Sequence, residues 1–202
     1  MNHTRTLLIT ILLACLAAPA VAQDAVDTEP IDLSEHASLS FGTKGQWYWG
    51  VAGGAAFGEG DQHYTTRFNL HHFVADDFEV NFTFAGWYFD QEQLPNGEGD
   101  DTFGGSFSFG FRWHFVSKET WSLYLDTGIG VMGSGEDVPP GGTEFNFLPR
   151  AGIGGTMQLF DSNARLDLGV AWHHVSNATI SGSDDNPAFD GVMIYAGVMV
   201  PF

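Results

Sequence analysis

From Gln46 onward, apolar and polar residues alternate with period two, and the alternating stretches are divided by turn signals of two kinds. The pattern predicts strands over 46–57, 63–74, 78–90, 102–116, 121–133, 144–160, 165–178 and 190–202. Tight connections follow the second, fourth and sixth (Ala75-Asp76-Asp77, Ser117 to Thr120, Asp161 to Ala164). The others, such as Gln91 to Asp101, Ser134 to Thr143 and Thr179 to Phe189, are longer and carry Gly, Pro and acids. An even strand count with short turns at one end and long loops at the other is the plan of an all-β, eight-stranded antiparallel up-and-down transmembrane barrel of the outer-membrane type.

The alternation also says which face meets what. The fourth strand puts Phe107, Phe109, Phe111, Trp113 and Phe115 on one side and Ser106, Ser108, Gly110, Arg112 and His114 on the other. Val80, Phe82 and Phe84 oppose Glu79, Asn81 and Thr83 in the third, while Leu123, Leu125, Ile129 and Val131 oppose Ser122, Tyr124, Asp126, Gly128 and Gly130 in the fifth. Four Phe and a Trp from one strand overfill a narrow lumen, so the large row faces lipid and the small polar row faces inward. Parity then sends Arg67, Arg112 and Arg150 inside with Glu79, Asp126 and Asp167. Buried charges require partners, which predicts a plugged lumen held by an ion network.

Before these strands, Met1 to Arg5, Leu7 to Leu16 and Ala20-Val21-Ala22 read as the three parts of a signal peptide, residues 1–22. Lipoprotein processing at Leu12-Leu13-Ala14-Cys15 is the alternative. Residues 23–45 read as a polar periplasmic leader and 46–202 as the barrel. Composition sharpens this picture: 202 residues, 26 Gly, 18 Phe and 14% aromatics with 16% charged residues fit one glycine-rich β domain. The single Cys, Cys15, lies in the signal, so no disulfide scaffold is possible. A formal charge of -18 argues against a nucleic-acid partner, because phosphates would be repelled.

The seventh strand carries the candidate chemistry. Its outward row, Leu166, Leu168, Val170 and Trp172, continues to His174 and Ser176. Positions two apart lie about 6.6 Å from each other on one face, so this pair can meet as base and nucleophile. The outward row of the last strand begins at Asp190, and same-face pairing brings it opposite Ser176 or His174. A carboxylate there could orient the imidazole as in a Ser-His-acid triad. Spacing alone leaves a second reading open, that of ordinary polar residues near a membrane interface; His36-Ala37-Ser38 repeats the tripeptide in the leader, where nothing suggests chemistry. His173 is assigned to the lumen. No cofactor is expected; divalent ions joining Glu98, Asp100, Asp101 or Glu136, Asp137 to lipopolysaccharide phosphates are conceivable, but solvated loop carboxylates explain the same residues.

His174-Val175-Ser176-Asn177-Ala178, at the end of the penultimate strand of such a barrel with a C-terminal Phe202, resembles the PagL family of lipid A 3-O-deacylases. The resemblance implies a base at His174, a nucleophile at Ser176, an oxyanion-hole role for Asn177 and, through the Asn186-Pro187-Ala188-Phe189-Asp190 segment, the triad acid at Asp190. Thr179 stands where that family usually has Gly, Ala188 replaces a Gly, and Asp190 replaces the usual Glu. The implied partners are lipid A, outer-membrane lipids and, through Phe202, the barrel-assembly machinery; dimerisation is left open. The rival class is a non-enzymatic barrel with a structural, adhesive or lipid-binding role.

Overall fold

A computed structural model describes residues 40–202 except 59, 96, 98, 181 and 183–186. The signal, the lipoprotein alternative, the His36 tripeptide, Glu98 and Asn186 lie outside the described residues. The strands are β1 (Trp47–Gly58), β2 (Asp61–Ala75), β3 (Phe78–Asp90), β4 (Thr102–Ser117), β5 (Trp121–Val138), β6 (Thr143–Phe147), β7 (Arg150–Gln158), β8 (Arg165–Val175) and β9 (Phe189–Pro201). Their hydrogen-bonded order β4-β3-β2-β1-β9-β8-β7-β5-β6, with β4 also paired to β5, closes the sheet. All pairings are antiparallel. Closure pairs each of β1 through β5 and β7 through β9 on both sides, the condition for strands in hydrocarbon, while β6 pairs with β5 and touches the strand beyond only through the Phe147–Ser176 bridge.

The predicted sixth strand is two elements. Leu148 and Pro149 separate β6 from β7; Pro149 has no N–H to contribute to a ladder, and a strand interior does not tolerate that loss. Its carbonyl instead accepts the His174 N–H at 3.2 Å. The predicted long loop 134–143 shrinks correspondingly, because β5 runs on to Val138 and β6 starts at Thr143. The seventh strand ends at Val175, with Ser176 retained by an isolated bridge to Phe147.

Side chains obey the predicted parity. Phe84, Trp113 and Ile129 are each more than half exposed, as befits a wall that meets lipid, whereas Glu79, Arg112 and Asp126 are buried. Arg112 reaches Glu79 at 3.4 Å, Asp126 at 3.4 Å and Asp167 at 3.3 Å; Arg150 reaches Asp126 at 2.9 Å. His71 meets Glu79 at 2.8 Å, and the Tyr124 hydroxyl donates to Asp167. Arg67 also points inward but departs from the predicted ion pairing: its guanidinium lies over the Tyr195 ring at 4.3 Å, a cation–π contact. Glycine makes room for the two tyrosines. A Cβ at Gly154 or Gly169 would collide with the Tyr124 hydroxyl or the Tyr195 ring.

The ion pairs of the lumen lie between two layers dominated by apolar side chains. Towards the long loops, Trp87, Phe89, Met132, Val138, Leu148, Val175, Phe189 and Met193 form a buried apolar layer. At the short-turn end Tyr48, Phe73 and Met199 form another, capped by Phe41, whose ring packs edge-on against Tyr48, Phe73 and His114. Arg165 stacks over Phe41 at 3.8 Å, and Gln46 Oε1 accepts the N–H groups of Gly42 and Thr43. The end of the predicted leader thus belongs to the barrel's packing.

Candidate active site

Three conditions converge at the long-loop end of β8 and β9. The outward row of β8 delivers His174 and then Ser176; the β8–β9 register sets Asp190 directly across from His174; and the bridge between Phe147 and Ser176, with N···O distances of 2.8 and 3.3 Å, holds the chain in place after the regular strand has ended. His174 Nδ1 lies 3.0 Å from Asp190 Oδ1, and Nε2 lies 2.9 Å from Ser176 Oγ. A carboxylate only accepts, so Nδ1 carries the proton. Nε2 is then the acceptor, and the Ser176 hydroxyl donates to it. This is the hydrogen-bond order in which an imidazole can take a serine proton.

The surroundings are graded. Asp190 is exposed, the His174 ring is half-buried and Ser176 is only 8% exposed. Their neighbours on the wall, Trp172, Val170 and Val192, are exposed apolar groups, so a polar trio stands at the rim of a lipid-facing surface. His173, one residue away, is buried in the lumen as expected and stacks on Trp87.

A fourth member was not singled out from the sequence. The Trp172 indole N–H donates to Asp190 Oδ1 at 2.7 Å, and its ring lies 5.4 Å from that of His174. The signal was available: an indole on a lipid-facing wall needs an acceptor for its N–H. The indole thereby restrains the Asp190 carboxylate. Trp172→Phe keeps the ring and removes the donor, and is expected to lower kcat about tenfold with KM nearly unchanged. Equal changes in both constants would instead assign the indole to substrate binding.

Asn177 is buried, and its Oδ1 accepts the Thr179 N–H at 2.9 Å, folding the chain back over the strand end. Ala178 and Thr179 follow with φ of 52° and 64°, two successive left-handed residues. A β-branched residue is poorly suited to that region, which explains in backbone terms the glycine that the resemblance leads one to expect there. Thr179→Gly is expected to relieve about 1 kcal/mol of strain, read as a higher unfolding midpoint. Thr179→Pro, which would require φ of about −65°, is expected to lower both stability and activity.

Among the described residues no group of three or more His, Cys, Asp or Glu is placed to hold a metal ion. Several acids near the long loops bind the protein itself. Asp101 accepts from the Tyr88 hydroxyl and the Gln91 N–H, and Asp61 accepts from the Glu92 N–H.

A family model described as lipid A 3-O-deacylase (PagL) matches residues 68–199. The chain belongs to the PagL family. Solved structures agree on the fold. The outer-membrane enzyme PagL superposes with a TM-score of 0.54 at 17% identity, covering 73% of this chain and 97% of that one. The N-terminal β-barrel domain of Pseudomonas aeruginosa OprF gives 0.53 at 14% identity, covering 79% and 98%. Neisserial surface protein A gives 0.52 at 15% identity, covering 78% and 96%. No curated protein shows significant sequence similarity to the chain. At these identities the structures speak for an outer-membrane barrel alone, and membership in the PagL family rests on the sequence match. That match spans the whole candidate site from Trp172 to Asp190.

Proposed function

We propose that this PagL-family protein is an outer-membrane esterase that removes the 3-O-linked hydroxyacyl chain of lipid A by Ser-His-Asp chemistry on the outside of the barrel. The observation that carries the reading is the unbroken hydrogen-bond chain from Asp190 through His174 to Ser176 on a lipid-facing wall. His174 Nε2 takes the Ser176 proton as Oγ attacks the ester carbonyl, and Asp190 stabilises the imidazolium that forms. Asn177, at the turn beside the nucleophile, helps to stabilise the oxyanion. Collapse of the intermediate expels the sugar oxygen, which takes the proton from His174. Water, activated by the same imidazole, then releases the 3-hydroxy fatty acid. Substrate arrives by lateral diffusion in the outer leaflet, so no path through the packed lumen is needed.

Mass spectrometry of lipid A from cells expressing the protein is expected to show the loss of one hydroxyacyl group, with the corresponding fatty acid released. Unchanged lipid A from cells whose membranes contain the assembled barrel would favour the non-enzymatic alternative. In the same reading Phe202, which closes β9 with its N–H on the Trp47 carbonyl, serves recognition by the assembly machinery.

A further inference from the structure

Most of the outer wall is studded with large side chains, but at one level they give way to small ones. Ala196 on β9 pairs with Gly53 on β1, Gly53 with Thr66 on β2, and Thr66 with Gly86 on β3. Over this floor lies a groove of about 600 Å³, with Tyr64, Tyr88, Phe103 and Ile194 among its lining residues. Phe68, Phe84 and Ile194, exposed on the same wall, mark its surroundings as hydrocarbon rather than water. The lining is mostly apolar, so a water placed there would find few hydrogen-bond partners, and an empty groove would forfeit dispersion contacts along its whole lining. Its natural occupant is a saturated chain.

The position of the groove says which chain. The Tyr64 hydroxyl donates to Gln62 at 2.5 Å and the Tyr88 hydroxyl to Asp101 at 2.8 Å, which sets both phenols at headgroup level with the groove beneath them. It therefore opens in the same leaflet as Ser176. Ile194 shares the outward row of β9 with Asp190 and lies four residues, about 13 Å, further along it. Counted around the barrel, β1 and β3 are two and four strands from β8, about 10 and 19 Å at the usual spacing. A chain that descends along the bilayer normal from an ester at Ser176 does not cross that much wall sideways, whereas a lipid that carries several chains on one headgroup can lay another of them there.

We propose that this groove holds a second, uncleaved acyl chain of the lipid whose ester is presented to Ser176, and thereby selects which ester reaches the nucleophile. The inference rests on the deacylase reading for the identity of the lipid.

The wall permits a clean test. A Cβ at Gly53 would have its nearest neighbour at 3.9 Å, and at Gly86 nothing lies within 4 Å. Leucines therefore fit at both sites and fill the groove from its floor. Gly53→Leu with Gly86→Leu should lower the ratio of kcat/KM for hexa-acylated lipid A to that for a single-chain ester of the same hydroxy acid about tenfold. In the Ser176→Ala background, retention of hexa-acylated lipid A in detergent, read by native mass spectrometry, should fall to a similar extent. Heat-modifiable gel mobility certifies that each variant has folded. An unchanged ratio together with unchanged retention overturns the groove. Retention lost on filling, beside a wild type that cleaves nothing, upholds the groove as a lipid site and removes the deacylase reading instead.

Discussion

Ser176→Ala is expected to abolish release of hydroxy fatty acid, with a fall in kcat of about 10⁴-fold or more, while the barrel assembles normally. The expectation follows from placement. Among the described residues the hydroxyl removed is the hydrogen-bond partner of His174 Nε2, and the backbone bridge to Phe147 that holds residue 176 does not involve the side chain. Stability should change by about 1 kcal/mol or less, because the substitution removes one hydrogen bond to a ring that keeps some contact with solvent. His174→Ala should cost nearly as much, and the double variant little more than either, because groups acting as one unit are not additive. Full activity in Ser176→Ala would move the nucleophile elsewhere and sink the proposed mechanism. Additive losses would show that His174 and Ser176 act separately.

The second large effect concerns stability. Arg112 stands among Glu79, Asp126 and Asp167, all buried, with its guanidinium 3.8 Å from the Tyr124 ring centre. Arg112→Leu leaves Glu79 and Asp167 without their guanidinium in a site that water cannot freely reach. Breaking a buried pair from one side costs about 3–5 kcal/mol, so the urea unfolding midpoint should fall steeply. Adding Asp167→Leu should recover part of the loss, since it removes one of the stranded charges along with its partner. Activity per folded molecule should persist, because the network lies inside the barrel and the triad outside it. A loss below about 1 kcal/mol would mean that the carboxylates find other partners or are protonated.

Much of this arrangement is legible in residue order because a barrel wall has only two faces. Parity alone assigns Arg112, Arg150, Glu79, Asp126 and Asp167 to the inside and the row from Phe107 to Phe115 to the outside, and it brings Asp190 opposite Ser176 or His174; the strand register selects His174. What parity does not carry is position along the barrel axis. Trp87, Phe89 and Phe189 have inward parity like the charged residues, yet they lie in a separate apolar layer beneath the long loops. The same limit hid Phe41, whose role comes from folding back under the lumen rather than from any strand period. Trp172 lies in the apolar outward row as its parity requires, but a second property of its ring, the N–H, attaches it to Asp190. The interruption at Pro149 was visible in the sequence and outweighed by the alternation around it. Its carbonyl now serves the strand that bears His174.

The layered interior has a consequence for the cell that makes this protein. With one aromatic layer at the short-turn end, an interlocked set of charges in the middle and a second apolar layer under the loops, the described residues fill the barrel's interior above a cavity of about 570 Å³ that Phe41, Gln46, Tyr48 and Arg165 line at the short-turn end. An outer membrane crowded with this barrel is expected to gain no diffusion route for nutrients, antibiotics or ions. High expression should therefore leave permeability where it was, and a fatty acid freed at the proposed exterior site would depart through the leaflet.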